Sequence, residues 1–594
     1  GSTVNVNPYA AMMSSFSESN YSTINASLRI SQELDFITKG LSATVLVNMK
    51  SHSSSSYTNT LSPYFYKVMD YTWDPSDPEF FYLELLQKGT DYIKQGTINR
   101  YSDRTFYFDA RVNYNRRFGE DHTVSGMLMY MQREYRSDVL PQRNQGLSGR
   151  FTYDYQNKYF AEFNFGYNGT ERLASGHRFE FFPAMSLGWA VSNESFWEPL
   201  STAVTHFKIR GSYGLVGSDE TGLLAGAAHF LYINNVNIDG SGIFSTGPYD
   251  GVYISKKGPG IEGYAVENAS WERAKKFDIG VDLNLFDQVS ITFDYFHDRR
   301  DRILQKRGSW PVIMGYAHAT PWSNIGKVDN KGFELSVNWK KEIIKDMFVD
   351  LRGNFTYTQN KYVYNDEPDY PYVWQTKTGK PLSCTYGYIA DGLFEDEDDI
   401  RNSPSQKNLG STVMPGDIKY RDVNGDGAIT TEDQVMLSRY GGIPRIQYGF
   451  GLNWTYKNID FGVFFNGSAQ RTLMIDNIAP FCSDVGNQDR NLMKFIADNY
   501  WSEASPNPEA AYPRLGVNNS QVANNMKPSS FWMRNGNFLR FKTLELGYSF
   551  SFCRIYLSGD NLAVWSPFKL WDPELSYSAY PLQRAINIGA QFTF

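Results

Sequence analysis

With 594 residues, 16% of them aromatic and 20% charged, and a formal net charge of -7, the chain carries no basic block, and nothing points to nucleic-acid binding. A mean hydropathy of -0.46 and the lack of any run near the roughly 18 apolar residues of a membrane helix exclude a helical membrane protein. Three cysteines, Cys384, Cys482 and Cys553, make no disulfide framework: a bridge between the first two stays open, and Cys553 sits in a strand pattern as a small apolar side chain.

Taken in chain order, a polar segment over residues 1–20 precedes alternating strand patterns that run from 21 to 594. Phe106, Phe108, Ala110, Val112 and Tyr114 share one face of a strand, with Tyr107, Asp109, Arg111, Asn113 and Asn115 on the other. Phe277/Ile279/Val281/Leu283/Leu285 against Asp278/Asp282/Asn284, and Val349/Leu351/Phe355/Tyr357 against Asp350/Arg352/Asn354/Thr356, repeat the pattern. Tyr448/Phe450/Leu452/Trp454/Tyr456 and Ile459/Phe461/Val463/Phe465 are joined only by Lys457-Asn458, a hairpin-length link. The chain closes on Ile586, Ile588, Ala590, Phe592 and Phe594 opposite Asn587, Gly589, Gln591 and Thr593, the shape of a last barrel strand and a plausible address for barrel assembly.

In a soluble sandwich these apolar faces would be mainly aliphatic. Here they are crowded with Phe, Tyr and Trp, which suits the aromatic girdles of a membrane wall. The fold class is therefore all-β, a transmembrane antiparallel β-barrel, with roughly sixteen to eighteen strands in this chain. Short links such as Asp154-Tyr155-Gln156-Asn157 alternate with long polar insertions at about 218–271, 361–442 and 471–536. Outer-membrane barrels have short periplasmic turns and long extracellular loops, so the insertions are expected to face outward, where a ligand arrives.

One motif carries specific chemistry. Asp422, Asn424, Asp426 and Asp433 occupy positions 1, 3, 5 and 12 of a calcium-type loop, with Gly427 at the sharp turn, the Ala428 carbonyl at position 7 and Thr430 at 9. Asp at the last position, in place of a bidentate Glu, predicts a weaker structural calcium site. A loop that only turns is the alternative. No catalytic residues are expected: the seven histidines show no HExxH spacing, His297 reads as structural, and neither GxSxG nor a phosphate-cradling loop occurs. Asp109, Arg111, Asp278, Asp282, Asp350 and Arg352 fit a wet interior of paired charges.

Several blocks together resemble the SusC/RagA-type TonB-dependent transporters. They are Gly149-Arg150-Phe151-Thr152-Tyr153-Asp154-Tyr155, the run 178–189 (RFEFFPAMSLGW), Lys208-Ile209-Arg210-Gly211-Ser212-Tyr213-Gly214, and Trp271-Glu272 before a strand over 276–286. Gly416-Asp417-Ile418-Lys419-Tyr420 runs into Asp422-Val423-Asn424-Gly425-Asp426-Gly427, followed by Phe538-Leu539-Arg540-Phe541-Lys542, Leu557-Ser558-Gly559-Asp560-Asn561-Leu562 and Trp571-Asp572-Pro573-Glu574. Their order and spread from about 149 to the end carry the match. The resemblance implies a barrel of roughly 22 strands when complete, most of them in this chain, in the outer membrane of a Gram-negative bacterium. It also implies a periplasm-facing plug driven by the TonB complex and a SusD-like surface lipoprotein over the pore. Before residue 21 nothing resembles a TonB box, a plug or a signal peptide, so this is the C-terminal barrel portion, with plug and missing strands expected from another polypeptide or an upstream portion.

The expected function is nutrient import across the outer membrane, by resemblance most often of oligosaccharides. Stacking of sugar faces would suit Trp310, Trp322, Tyr370, Tyr372 and Trp374. An oligopeptide importer is the first rival. A non-transporting adhesin or structural barrel is the second, and a hydrolase comes last.

Overall fold

The computed structural model describes residues 8–68, 83–137, 139–220, 230–246, 254–314, 321–476, 478, 481, 492–516, 519–577 and 579–593. Cys482, His229, His318 and Phe594 lie outside them, and with Cys482 and Phe594 go the bridge to Cys384 and the chain-closing aromatic. Among the described residues the main sheet has 18 strands, the upper end of the expected range. The chain divides into two compact units, Gly1–Asn113 with Leu128–Leu147 and Gly169–Glu171, and Tyr114–Met127 with Ser148–Asn168 and Arg172–Phe594.

In the first unit the strand Ser15–Glu33 pairs with Leu41–Thr60 in one unbroken antiparallel register, Ser15 opposite Thr60 and Glu33 opposite Ser42. It begins inside the stretch 1–20 that reads as merely polar, because Ser, Asn and Glu on both faces hide the alternation there. Val45, Val47 and Met49 stand opposite Ile30, Leu28 and Ala26, an apolar patch on one face, while Asn48 Nδ2 donates to Asn25 Oδ1 at 2.8 Å on the other. Phe65–Val68 pairs with Leu83–Gln87 within a long connection, 61–98, that the sequence did not reveal.

In the second unit the order of strands follows the chain. Phe179–Ala190, Val204–Ser218, Glu272–Leu285, Val289–Lys306, Trp322–Ile344, Met347–Tyr364, Ile446–Tyr456, Ile459–Ala469, Phe538–Ser549, Cys553–Trp565 and Ala585–Phe592 each pair antiparallel with the next. Turns of a few residues and one longer link, 191–203, with two 3-10 turns, join one end, and the connections 219–271, 307–321, 365–445, 470–537 and 566–584 join the other. Three of these match the expected insertions; the connections 307–321 and 566–584 were not among them. The short turns are built by backbone geometry rather than glycine. Gln156 and Asn157 both have φ near 53°, the mirror-image turn whose twist fits a hairpin, and Asp154 Oδ1 accepts the Asn157 amide at 2.8 Å.

Packing follows the alternation. Phe277, Ile279, Phe293, Leu351, Phe450 and Leu546 all remain exposed, whereas a soluble sheet would bury them against a second layer. Their rings meet across strands: Phe293 with Phe333 at 6.1 Å, Phe333 with Phe355 at 5.7 Å, and Phe450 with Phe465 at 5.2 Å. Such a face is stable only against hydrocarbon. Ile279→Arg is therefore expected to cost about 2–4 kcal/mol and to reduce heat-modifiable protein in outer-membrane fractions, with Ile279→Leu neutral. Equal abundance of the two variants would contradict a lipid-facing position.

Candidate functional site

The face opposite the apolar one carries charges in closed pairs. Asp109, fully buried, accepts two bonds from Arg111 at 2.9 and 3.0 Å. In the second unit Arg210 donates to Asp282 at 3.1 Å, Asp278 at 3.4 Å and Asp294 at 2.8 Å, so one guanidinium fork gathers carboxylates from two neighbouring strands. His297, 4.0 Å from Asp329, lies on the apolar face instead, opposite Phe277 in the strand register, whereas on the polar face Lys340 stands 3.7 Å from Asp350 and Arg352 lies 5.1 Å over the Phe464 ring. These pairs are what an interior wetted wall needs.

Above the strands of the second unit the long connections are not loose loops. Tyr388, Leu393, Leu409, Ile418, Tyr420 and Ile429 of 365–445, Ile475, Ile478, Phe481, Ile496, Trp501, Tyr512 and Trp532 of 470–537, and Phe568 of 566–584 form one buried apolar core. Inside it lies a closed polar network. Arg514 Nη2 donates to Asp417 Oδ2 at 3.2 Å, and Asn525 Nδ2 to Asp417 Oδ1 at 2.8 Å. Gln406 Nε2 donates to Asn524 Oδ1 at 2.7 Å, and the Tyr420 hydroxyl to the Asn524 carbonyl at 2.7 Å. Each partner is satisfied by the other connection, so the two can only fold together.

Several residues of the motif blocks noted above make separate fastening contacts. Arg540, 1% exposed, donates to Asp572 at 2.7 and 2.8 Å and to Glu574 at 2.8 Å, and also to Asn561. It fastens the connection 566–584 to the wall. Trp271 Nε1 donates to the Arg178 carbonyl at 2.9 Å, and its ring meets Phe182 edge-on at 5.4 Å. Arg150 donates to Glu162 at 3.0 Å. Arg540 thus attaches an outer segment to a strand, whereas Arg150 and Glu162 join two neighbouring strands.

The expected ligand-binding aromatics do not form one surface. Tyr372 and Trp374 stack at 4.6 Å with planes 9° apart, and Trp374 Nε1 donates to the Glu432 carbonyl at 2.8 Å, which ties this pair to the acidic loop. Trp322 instead packs against the buried cluster of Leu173, Phe182, Leu231, Trp271 and Leu304, with Lys306 5.6 Å from its ring. Trp310 is half-buried in a separate connection, and Tyr370 is exposed beside the stacked pair.

In the loop 422–433 the side-chain oxygens are turned to backbone amides. Asp422 accepts from Gly425 at 2.7 Å and Gly427 at 2.8 Å, and Asp426 from Ala428 at 2.8 Å. Asp433, fully buried, accepts from Val423 and Thr430 at 2.8 Å. Asn424 Oδ1 accepts from Asp426 at 3.1 Å and Thr430 Oγ1 from Glu432 at 3.2 Å. Among the described residues no three His, Cys, Asp or Glu side chains gather as a metal set. As placed, each of these oxygens holds a backbone amide of its own loop.

With this geometry in place, comparison with known proteins assigns the family. The profile described as TonB dependent receptor-like, beta-barrel, matches residues 4–562. The chain belongs to that family. TonB-dependent receptor P3 of Formosa agariphila is 26% identical over 468 residues, 75% of this chain and 43% of the relative. TonB-dependent receptor SusC of Bacteroides thetaiotaomicron is 23% identical over 574 residues, 91% of this chain and 53% of the relative. A solved structure described as the RagAB peptide importer in its 'closed-closed' state is similar in fold, with a TM-score of 0.70 at 17% identity, covering 99% of this chain and 63% of that one. The chain spans about half the length of the curated relatives it matches. A TonB-dependent receptor barrel is an outer-membrane protein of Gram-negative bacteria, and its relatives are receptors and transporters rather than enzymes.

Two outcomes test the latches. Arg540→Ala leaves Asp572 and Glu574 without their buried cation, at a cost of about 3–5 kcal/mol. It is expected to raise hydrogen exchange over 566–577 while leaving Leu41–Thr60 unchanged, and Arg540→Lys restores only part of the protection because an ammonium lacks the fork.

The second outcome concerns Asp366. Burial works against its charge, but Arg307 at 2.9 Å and the Ser309 amide and hydroxyl outweigh it and hold the carboxyl below its usual range. A depressed carboxyl stabilises above its unfolded value and loses that contribution as pH falls through the folded one. Protease sensitivity of the 307–314 segment should therefore rise only on acidification below the ordinary carboxylate range, and Asp366→Asn should remove that pH dependence.

Proposed function

We propose that this chain forms wall and outer surface of a TonB-dependent importer that takes up oligosaccharides together with a SusD-like surface lipoprotein. The observation that carries the reading is the packed outer body over 365–577, fastened to strands by buried pairs. A passive barrel needs loops, but it does not need three connections folded into one core on its outer end. The strands Ser15–Glu33 and Ala585–Phe592 each pair on one side only among the described residues, and an open edge is not tolerated in hydrocarbon. Further strands and a plug that engages the TonB complex complete the particle in this reading, and the wall presented here does not itself open. Likeness of fold to a peptide importer keeps oligopeptide as the second cargo.

Deleting the whole of 470–537 would remove half of the shared core and unfold the rest. Surface variants at Tyr372 and Trp374 are the cleaner test. Cells carrying Tyr372→Ala and Trp374→Ala are expected to grow more slowly on the cognate oligosaccharide at unchanged outer-membrane abundance. Unimpaired growth would remove the pair from cargo handling, and uptake of labelled peptide with none of oligosaccharide would move the cargo to the second class.

The calcium reading of the loop 422–433 belongs to the proposal on its spacing alone, since binding would have to turn carboxylates away from their amides. Calorimetry on chelator-treated protein is expected to show one calcium site that Asp426→Ala removes. No heat on titration would leave the loop a turn.

A further inference from the structure

The acidic loop 422–433 and the stacked rings of Tyr372 and Trp374 belong to one closed frame in the second unit. Its starting point is local. Thr430 and Asp433 cap the 3-10 turn Thr431–Asp433 reciprocally: Asp433 Oδ2 accepts the Thr430 amide at 2.8 Å, and Thr430 Oγ1 accepts the Glu432 amide at 3.2 Å. The other Asp433 oxygen holds the Val423 amide at 2.8 Å, across the loop. The turn is also seated in the body beneath it. Ile429 is fully buried in the apolar core, and its amide donates to the Ser405 carbonyl at 2.8 Å.

A turn held in this way presents the Glu432 carbonyl in one direction, and Trp374 Nε1 donates to it at 2.8 Å. Just after the turn the chain enters Val435–Ser438, which pairs antiparallel with Thr385–Gly387. The Lys380 ammonium lies 5.2 Å from the Tyr386 ring of that second strand and donates to the Trp374 carbonyl. Trp374 is thus pinned twice, at its indole edge and at its main chain, and both pins trace back to the same turn. The frame is tied to the wall as well, because the Tyr362 amide donates to the Lys380 carbonyl at 3.0 Å and the Gly379 amide to the Tyr362 carbonyl at 2.8 Å.

On its own the segment that carries the two rings is a single 3-10 turn, Val373–Gln375, with Val373 86% exposed. That is too little structure to keep two rings 4.6 Å apart with planes 9° from parallel. Rings immobilised before a ligand arrives bind it better, since their ordering no longer opposes association. We propose that the loop 422–433 is the positioning element of the Tyr372–Trp374 pair, with Asp433 the positioning residue and the Glu432 carbonyl the contact through which it acts. The inference rests on the cargo role proposed above for the pair and deepens it by naming what sets the pair's geometry.

Fluorine NMR on protein purified from outer membranes, with 5-fluorotryptophan in place of tryptophan and chelator present, tests it. Trp374→Phe assigns the Trp374 signal among the 13 tryptophans. Trp532, fully buried in the core of the same body and assigned in the same way, reports whether that body stays folded. Asp433→Asn is expected to shift or broaden the Trp374 signal and leave Trp532 in place. Thr430→Val, at a half-buried position, is the milder second variant and is expected to do the same to a smaller extent. Glu432→Ala removes a side chain but not the carbonyl and is expected to move neither signal. The proposal is overturned if neither Asp433→Asn nor Thr430→Val moves the Trp374 signal while Trp532 stays in place, or if Glu432→Ala moves it as far as Asp433→Asn does. Growth of the Tyr372→Ala and Trp374→Ala cells keeps the two readings apart. A Trp374 signal that moves as expected beside unimpaired growth supports the frame and removes the pair from cargo handling. A signal that stays put beside slowed growth overturns the frame and leaves the cargo role standing.

Discussion

Hydrocarbon offers no hydrogen bond, and every other feature of this chain follows from that. A wall in lipid must satisfy its backbone strand to strand and put an unbroken apolar face outward, so polarity is confined to every second residue. Once polar side chains are forced to one face they must neutralise each other, as Arg111 does with Asp109 and Arg210 with its three aspartates. The alternation that makes the chain look too polar for a membrane is thus the membrane signal itself.

Where the strands leave the bilayer the constraint lifts, and the chain spends its residues differently. In the second unit an ordinary water-excluding core returns, with Trp532, Ile418 and Phe481 fully buried among backbone that strands no longer satisfy. Side chains take over that role: Asn524 and Gln406 cap carbonyls and amides of the strand Ile418–Tyr420. Buried Arg540 and Asp417 are costly alone and secure together with their partners, which makes them good fasteners between segments far apart in sequence.

Much of this was legible beforehand, for physical reasons. Period-two alternation is local, so the strands, the short turns at 156–157 and 457–458 and three long connections could be read directly. The motif blocks could be read as a family signature, but not as contacts, since Arg540 and Asp572 meet only through the fold. The connections 61–98 and 566–584 escaped because their polarity resembles that of the adjoining strands. That Trp322 packs against the cluster of Phe182 and Trp271 could not be read beforehand, since that contact too forms only through the fold. The spacing of Asp422, Asn424, Asp426 and Asp433 is a calcium pattern and an amide-wrapping pattern at once, and sequence cannot choose between them.

The central claim is that one face of these strands meets lipid and the other water. Spin labels placed singly at 277 through 283 in protein reconstituted into liposomes read it directly, by collision with oxygen, which concentrates in hydrocarbon, and with a nickel chelate, which stays in water. The account predicts strict alternation, with 277, 279, 281 and 283 accessible to oxygen and 278, 280 and 282 to nickel. Uniform accessibility to nickel along the segment, or a period near 3.6, would contradict it.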